Sequence, residues 1–271
     1  MTSPNSTTRK PTSSRGRSPT TPKEASVLTT SNSRSVVSLC FPTDPDFDAN
    51  LERLSSLIAQ TPQDAIVVAP EVALSGFAYD RFDEAADFTL KALDTLQNSV
   101  GERLLIFTAI TRTEEGMMNV AYALHAGRII HTQAKAKLFA LGGEEKYFVP
   151  GSDRAIVPFE FEGIRIGILI CFELRFKTLW QQLEGCDLIA VSAQWGKLRS
   201  EHFVTLTNAL AVMNQCYVIA SDAANEDTSG MGGIITPFGG EIRNSGAQML
   251  TSRYESRTVA SMRRYLNVGI A

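Results

Sequence analysis

The chain has 271 residues, 44% of them hydrophobic and 20% charged, with a formal net charge of −3, the balance of a globular protein large enough for one sizeable core. No apolar run reaches the roughly 18 to 20 uncharged residues a bilayer crossing needs, and no apolar secretory stretch opens the sequence, so a membrane partner is excluded and a cytoplasmic placement is expected. Cys40, Cys171, Cys186 and Cys216 form no CxxC pair, which argues against a disulfide framework and against a metal site.

Residues 1–34 are mostly Ser, Thr, Pro and basic side chains. Such a segment buries too little apolar surface to offset its ordering entropy and is predicted to be disordered. Six basic residues against one acidic residue put it at +5, which leaves −8 on the remaining domain, residues 35–271; an acidic body argues against nucleic acid as a partner.

From Val36 on, short β-branched runs alternate with longer amphipathic stretches, the pattern of an α/β domain. Strands are predicted over 36–40, 65–69, 103–109, 118–124, 128–134, 155–160, 164–170, 187–192, 216–221 and 231–236. A helix is predicted over Asp48–Gln60, where Leu51, Leu54 and Ile58 share a face behind a capping Asp, and others over Phe88–Val100 and Arg199–Gln215. Between about 115 and 170 the chain reads as hairpins, with turns at His125–Arg128 and at Glu162–Gly163. Mixed sheets follow, two of them packed face to face with helices outside.

Chemistry-bearing residues stand at strand ends, where side chains from several strands converge on a sheet rim. In AIVVAPEVALSGF, Glu71 follows a strand and Pro70; a helix-start carboxylate is the competing reading. In HTQAKAKLFALGGEEKYFVPG, Lys135 and Lys137 share one side of an extended run before a loop carrying Glu144 and Glu145, and a solvated basic edge is the alternative. In GIRIGILICFELRF, Cys171 ends a wholly buried type of strand and begins a turn, a position for a nucleophile as well as for an inert core thiol.

Taken in order, APE at Glu71, KAKLF at Lys135 and ICFELRF at Cys171 resemble the motifs of the nitrilase, or carbon-nitrogen hydrolase, superfamily. EEKYFVPG places that family's additional glutamate at Glu144, and WGKLRSEHF, NQCYVIAS and SGMGGIITPFGG extend the resemblance over about residues 36–265. The chain departs from the family pattern at Leu210 and Met213, where Arg and Glu are usual, at Gly196 for Pro, at Gly232 for Ser, and at Phe172-Glu173 for an aromatic-Asp pair.

The resemblance implies a four-layer α/β/β/α sandwich of two mixed sheets, assembled as a homodimer or higher homo-oligomer across one helical layer. It also implies hydrolysis of the carbon-nitrogen bond of a small amide through a Cys171 thioester, with no cofactor and no metal. The free thiol at about 8.5 and the carboxyl at about 4.3 leave proton transfer from one to the other uphill by about 5 to 6 kcal/mol. Lys135 is expected to narrow that gap by favouring the thiolate, and two close carboxylates to share a proton. Glu71 would act as base, Lys135 and the Phe172 N–H would stabilise the oxyanion, and Glu144 would orient Lys135.

Arg175, four residues past Cys171, is a candidate for gripping a substrate carboxylate, against an ion pair with Glu173. Trp195 and Phe77 are candidates for pocket walls, against plain core filling. The ICFELRF form resembles most the amidases of ω-amides of short dicarboxylic acids. N-carbamoyl amine hydrolases and true nitrilases are the alternatives within the family. From another class, a thiol-redox or binding protein on this scaffold would use Cys171 as a low-pKa thiol, though redox chemistry has no need of both glutamates.

Overall fold

The computed structural model describes residues 32–270. The segment predicted to be disordered lies outside the described residues up to position 31, and its last two residues instead open the first strand. The chain runs β1 (Ser33–Leu39), α1 (Phe47–Ala59), β2 (Ile66–Val68), α2 (Phe82–Ser99), β3 (Leu104–Thr113), β4 (Gly116–His125), β5 (Arg128–Ala134), β6 (Phe159–Phe161) and β7 (Ile164–Ile170). It continues through α3 (Lys177–Gln182), β8 (Leu188–Ala193), α4 (Ser200–Met213), β9 (Tyr217–Asp222), β10 (Gly233–Ile235), β11 (Glu241–Arg243), β12 (Met249–Glu255) and α5 (Ser256–Tyr265).

Two six-stranded sheets form, ordered β12-β1-β2-β3-β4-β5 and β11-β10-β9-β8-β7-β6. Each is parallel at its centre (β1–β2–β3 and β7–β8–β9) and antiparallel toward its edges. Period-two alternation divides each strand between two layers. Val36, Ile66, Val68, Leu104 and Ile106 face the second sheet and pack with Ile166, Ile168 and Ala190. Their neighbours Val37, Leu39, Val67, Leu105 and Phe107 face outward onto Leu51, Leu54 and Ile58 of α1 and Leu93 and Leu96 of α2. On the far side Phe203 and Leu210 of α4 and Val259 of α5 close the second sheet. The result is the expected α/β/β/α sandwich.

Local chemistry sets the boundaries. Asp46, rather than the expected Asp48, caps α1: its Oδ1 accepts from the Asp48 and Ala49 N–H groups at 3.0 and 3.4 Å. Both predicted hairpin turns form as two-residue loops with positive φ at both positions, 47° and 73° at Ala126–Gly127 and 47° and 76° at Glu162–Gly163, the type I′ geometry that matches strand twist. The strand predicted over 155–160 is replaced by a 3-10 turn at Asp153–Ala155 and the short β6, and β11, β12, α3 and α5 were not anticipated.

Candidate active site

Four of the sequence-derived residues meet where the two sheets face each other. Glu71 lies three residues past β2, fully buried. Its N–H donates to the Ala193 carbonyl of the opposite sheet at 3.2 Å, so the backbone there spans both sheets. The next residue, Val72, is held at a φ of 44° with its N–H on Thr108 Oγ1 at 2.7 Å. A β-branched residue at positive φ is strained, and the strain fixes where the Glu71 carboxylate points.

Lys135 follows β5 directly, and its N–H donates to the Asn119 carbonyl at 2.8 Å. Its buried Nζ donates to Glu71 Oε1 at 2.7 Å and to Glu144 Oε1 at 2.8 Å. Glu144 opens a 3-10 turn (Glu144–Lys146), and its second oxygen accepts the Phe139 N–H at 3.0 Å. Glu71 takes two further donors, Asn119 Nδ2 at 2.9 Å on Oε1 and the Gln194 N–H at 3.1 Å on Oε2. One ammonium is thus held between two buried carboxylates, Glu71 with three donors and Glu144 with two.

Cys171 begins the 3-10 turn Cys171–Arg175 at the end of β7, with a φ of 46°. This sharp strand-to-turn bend points its thiol into a cavity of about 240 Å3 shared with Phe77, Glu144 and Gln194, smaller than the roughly 300 to 1,000 Å3 of sites for drug-sized ligands. Phe172 follows in the first turn, where a backbone N–H has no acceptor within the turn, and it lines a smaller cleft of about 30 Å3 that adjoins this cavity at Cys171 and Gln194.

Burial, and then the charges of Glu71 and Glu144, push the Cys171 thiol well above its usual value; the pull of Lys135 toward thiolate is real and loses. Lys135 favours the thiolate as expected, but its pull does not overcome burial and the two carboxylates, a direction that runs against the low-pKa thiol of a redox protein. Burial works to lower Lys135, but Glu71, the thiol and Glu144 outweigh it and keep the ammonium charged. Burial, with the Glu71 charge next, raises Glu144, which therefore holds a proton more readily than an ordinary glutamate.

The remaining expectations divide. Phe77 lines the cavity with its ring 5.8 Å from Lys135 Nζ, and buried Trp195 forms a wall beside Cys171. Arg175 lines the same cleft, its guanidinium 4.9 Å from the Trp195 ring and its Nη2 3.1 Å from His202 Nδ1. It makes no ion pair with Glu173. That carboxylate is buried and clips two backbones instead, accepting the Ala136 N–H at 2.6 Å and the Ile170 N–H at 2.7 Å, which ties the strand ends carrying Lys135 and Cys171 together. Burial pushes Glu173 up to about 7. Asp222, also raised by burial to about 7, accepts the Trp195 N–H at 2.8 Å and the Ser229 hydroxyl.

Sequence reading missed Asn119, the Gln194 N–H and Arg199. Asn119 carried one signal, a polar side chain within the apolar run of β4; a backbone N–H carries none. Among the described residues no group of three or more His, Cys, Asp or Glu side chains is placed to hold a metal ion, and no helix is long and apolar enough to cross a membrane.

Known proteins share this arrangement of motifs. Residues 35–240 match the carbon-nitrogen hydrolase family model. The deaminated glutathione amidase of Escherichia coli O157:H7 is 30% identical over 211 residues, covering 71% of this chain and 79% of that protein. Omega-amidase YafV of Escherichia coli (strain K12) is 29% identical over 230 residues, covering 81% and 88%. Among solved structures, a carbon-nitrogen hydrolase superfamily protein of Xanthomonas campestris shares the fold with a TM-score of 0.77 at 23% identity, over 87% of this chain and 96% of that one. A family match over most of the sequence, joined to a fold of the same kind, means that this chain belongs to the carbon-nitrogen hydrolase family of the nitrilase superfamily and is an enzyme that hydrolyses carbon-nitrogen bonds.

Proposed function

We propose that the substrate is the ω-amide of a short dicarboxylic acid, cleaved to ammonia and the free acid by Cys171 with Glu71, Lys135 and Glu144. The observation that carries this reading is the Lys135 ammonium bridging Glu71 and Glu144 at 2.7 and 2.8 Å beside the Cys171 thiol. Glu144 is drawn toward its protonated form, and Glu71 takes the thiol proton as sulfur attacks the amide carbon. Lys135 Nζ and the Phe172 N–H stabilise the oxyanion that develops. When the intermediate collapses, the carbon-nitrogen bond breaks and Glu71 passes its proton to the departing nitrogen, leaving a thioester. Water then attacks with Glu71 again as base. The acid departs, and the proton returns to sulfur.

Because the thiol is neutral at rest, proton transfer and attack proceed together, and a group that accepts the proton at the right moment matters more than a standing thiolate. The cavity volume suits a small amide, and Arg175 beside Cys171 suits an acid at its far end. Relatives named for ω-amides and for deaminated glutathione favour the same class. An outer face with exposed Val212, Met213, Phe238 and Tyr265 supports a homodimer across the α4 layer, and four free cysteines support a reducing, cytoplasmic setting.

Ammonia release from a panel of ω-amide acids, N-carbamoyl compounds and nitriles, with Cys171→Ala as blank, tests the class. Glu71→Gln is expected to slow turnover of the preferred amide at least a hundredfold, in keeping with the usual worth of a general base. Wild-type turnover in that variant removes Glu71 from the mechanism.

A further inference from the structure

We infer that Arg199 is a second anchor for the substrate carboxylate, forming with Arg175 a two-guanidinium clamp that Gly196 makes room for. The inference rests on reading the cavity as an amidase site. Both arginines line the cleft that contains Cys171, Gln194 and Trp195. Each lies against an aromatic ring: Arg175 at 4.9 Å from Trp195 and Arg199 at 5.2 Å from Phe139, a contact that holds a guanidinium plane while leaving its N–H edge free. Trp195 is fixed in turn, since its Nε1 donates to the Arg199 carbonyl at 2.8 Å.

Neither guanidinium has a carboxylate partner among the described residues. Asp227 borders the wider cavity but pairs with neither. The polar side-chain contact of Arg175 is His202 Nδ1, which accepts from it. Burial and then the nearby Arg199 charge lower the proton affinity of Arg175, so the two cations repel each other across the cleft. Two like charges this close without a counter-ion are unfavourable, and a bound carboxylate, with its several lone pairs, would satisfy both.

Gly196 explains how the second arginine arrives. The Arg199 N–H bonds back to the Gly196 carbonyl at 3.0 Å, closing the 3-10 turn Lys197–Arg199 that leads into α4. The guanidinium folds over residue 196 so closely that a Cβ there would lie 2.6 Å from Arg199 Nη2. A side chain at this position would require the guanidinium end to shift from where it lies. The proline that the resembling motif carries here would require the same shift, so glycine is what lets the Arg199 guanidinium lie over residue 196 in this chain.

The test compares glutaramic acid with pentanamide, which replaces its carboxyl by a methyl group, for wild type, Arg199→Gln and Gly196→Ala. Arg199→Gln is expected to cut the preference for glutaramic acid, as the ratio of the two kcat/KM values, at least tenfold, mainly through KM; Gly196→Ala should shift it in the same direction. A parallel fall for both amides, or an unchanged ratio, overturns the clamp. Glutarate binding to Cys171→Ala, with and without Arg199→Gln, is read by calorimetry as an independent arm. Should the wild type hydrolyse neither amide, the ω-amide reading fails, yet weakening of glutarate binding by Arg199→Gln at least tenfold still supports the clamp; equal binding with and without Arg199 overturns it.

Discussion

Replacing Lys135 by Met removes a cation 2.7 Å from one buried carboxylate and 2.8 Å from another. Breaking a buried pair typically destabilises by about 3 to 5 kcal/mol, but here protonation caps the loss. A carboxyl of ordinary affinity, 4.5 for Glu144 in water, is neutralised at pH 7.5 for about 4 kcal/mol and at pH 5 for less than about 1. Glu144 already binds protons more readily than usual, so the variant needs about one proton more than wild type to fold. Between about pH 4.5 and the raised folded value its folded state binds more protons than its unfolded state, and stability is lost as pH rises, by about 1.4 kcal/mol per unit. Urea unfolding of Lys135→Met and wild type should therefore show a gap of about 1 kcal/mol at pH 5 growing to about 4 at pH 7.5. Adding Glu71→Gln should flatten that growth. A gap independent of pH, or one that the second substitution leaves unchanged, refutes the picture of an ammonium held between two carboxylates.

Glu173→Gln turns an amide NH2 toward one of the two N–H groups the carboxylate now accepts, so about 1 to 3 kcal/mol is lost at pH 5. Glu173 is raised to about 7 from 4.5: its contribution in wild type is full below pH 4.5 and lost as pH climbs through 7, so denaturation curves should show the gap shrinking by pH 8. Turnover should fall at least tenfold at both pH values, because Lys135 and Cys171 are clipped through this one side chain. Asp222→Asn keeps an acceptor for the Trp195 N–H and removes the carboxyl raised to about 7 from 3.8. Thermal melts should show it gaining on wild type as pH rises from 4 to 8, and parallel curves would contradict the assignment.

What could be read from the sequence follows from how much each element buries. In β7 and β8 nearly every residue is apolar because both faces are covered, and such runs declare themselves. In β12 a single residue, Tyr254, is buried, and in α5 only Val259 and Met262 are, so the polar majority hides the period. Glu71, Lys135 and Cys171 stood out because each interrupts or ends an apolar run. Asn119, the Gln194 N–H and Arg199 depend on which strand lies beside which, and on a turn that folds a guanidinium over a glycine; no local pattern encodes those neighbours. The Glu173 pairing was misjudged for the same reason: proximity in sequence favoured Arg175, while the fold offered two backbone donors that a buried carboxylate binds without a counter-ion.

The site is also a seam. Glu71 and Lys135 come from one sheet, Cys171 and Gln194 from the other, and the Glu71 N–H on Ala193 and the Gln194 N–H on Glu71 cross between them. The distance from Glu71 to Cys171 is thus set by how the sheets pack, through Val68, Ile106, Ile168 and Ala190, rather than by any one loop. A close-packed interior resists displacement because moving one layer breaks many contacts at once. That stiffness suits the proposed reaction, in which a neutral thiol loses its proton to Glu71 and attacks in the same step: a base gains from being held at a fixed distance and already desolvated, and the sandwich supplies both before substrate enters.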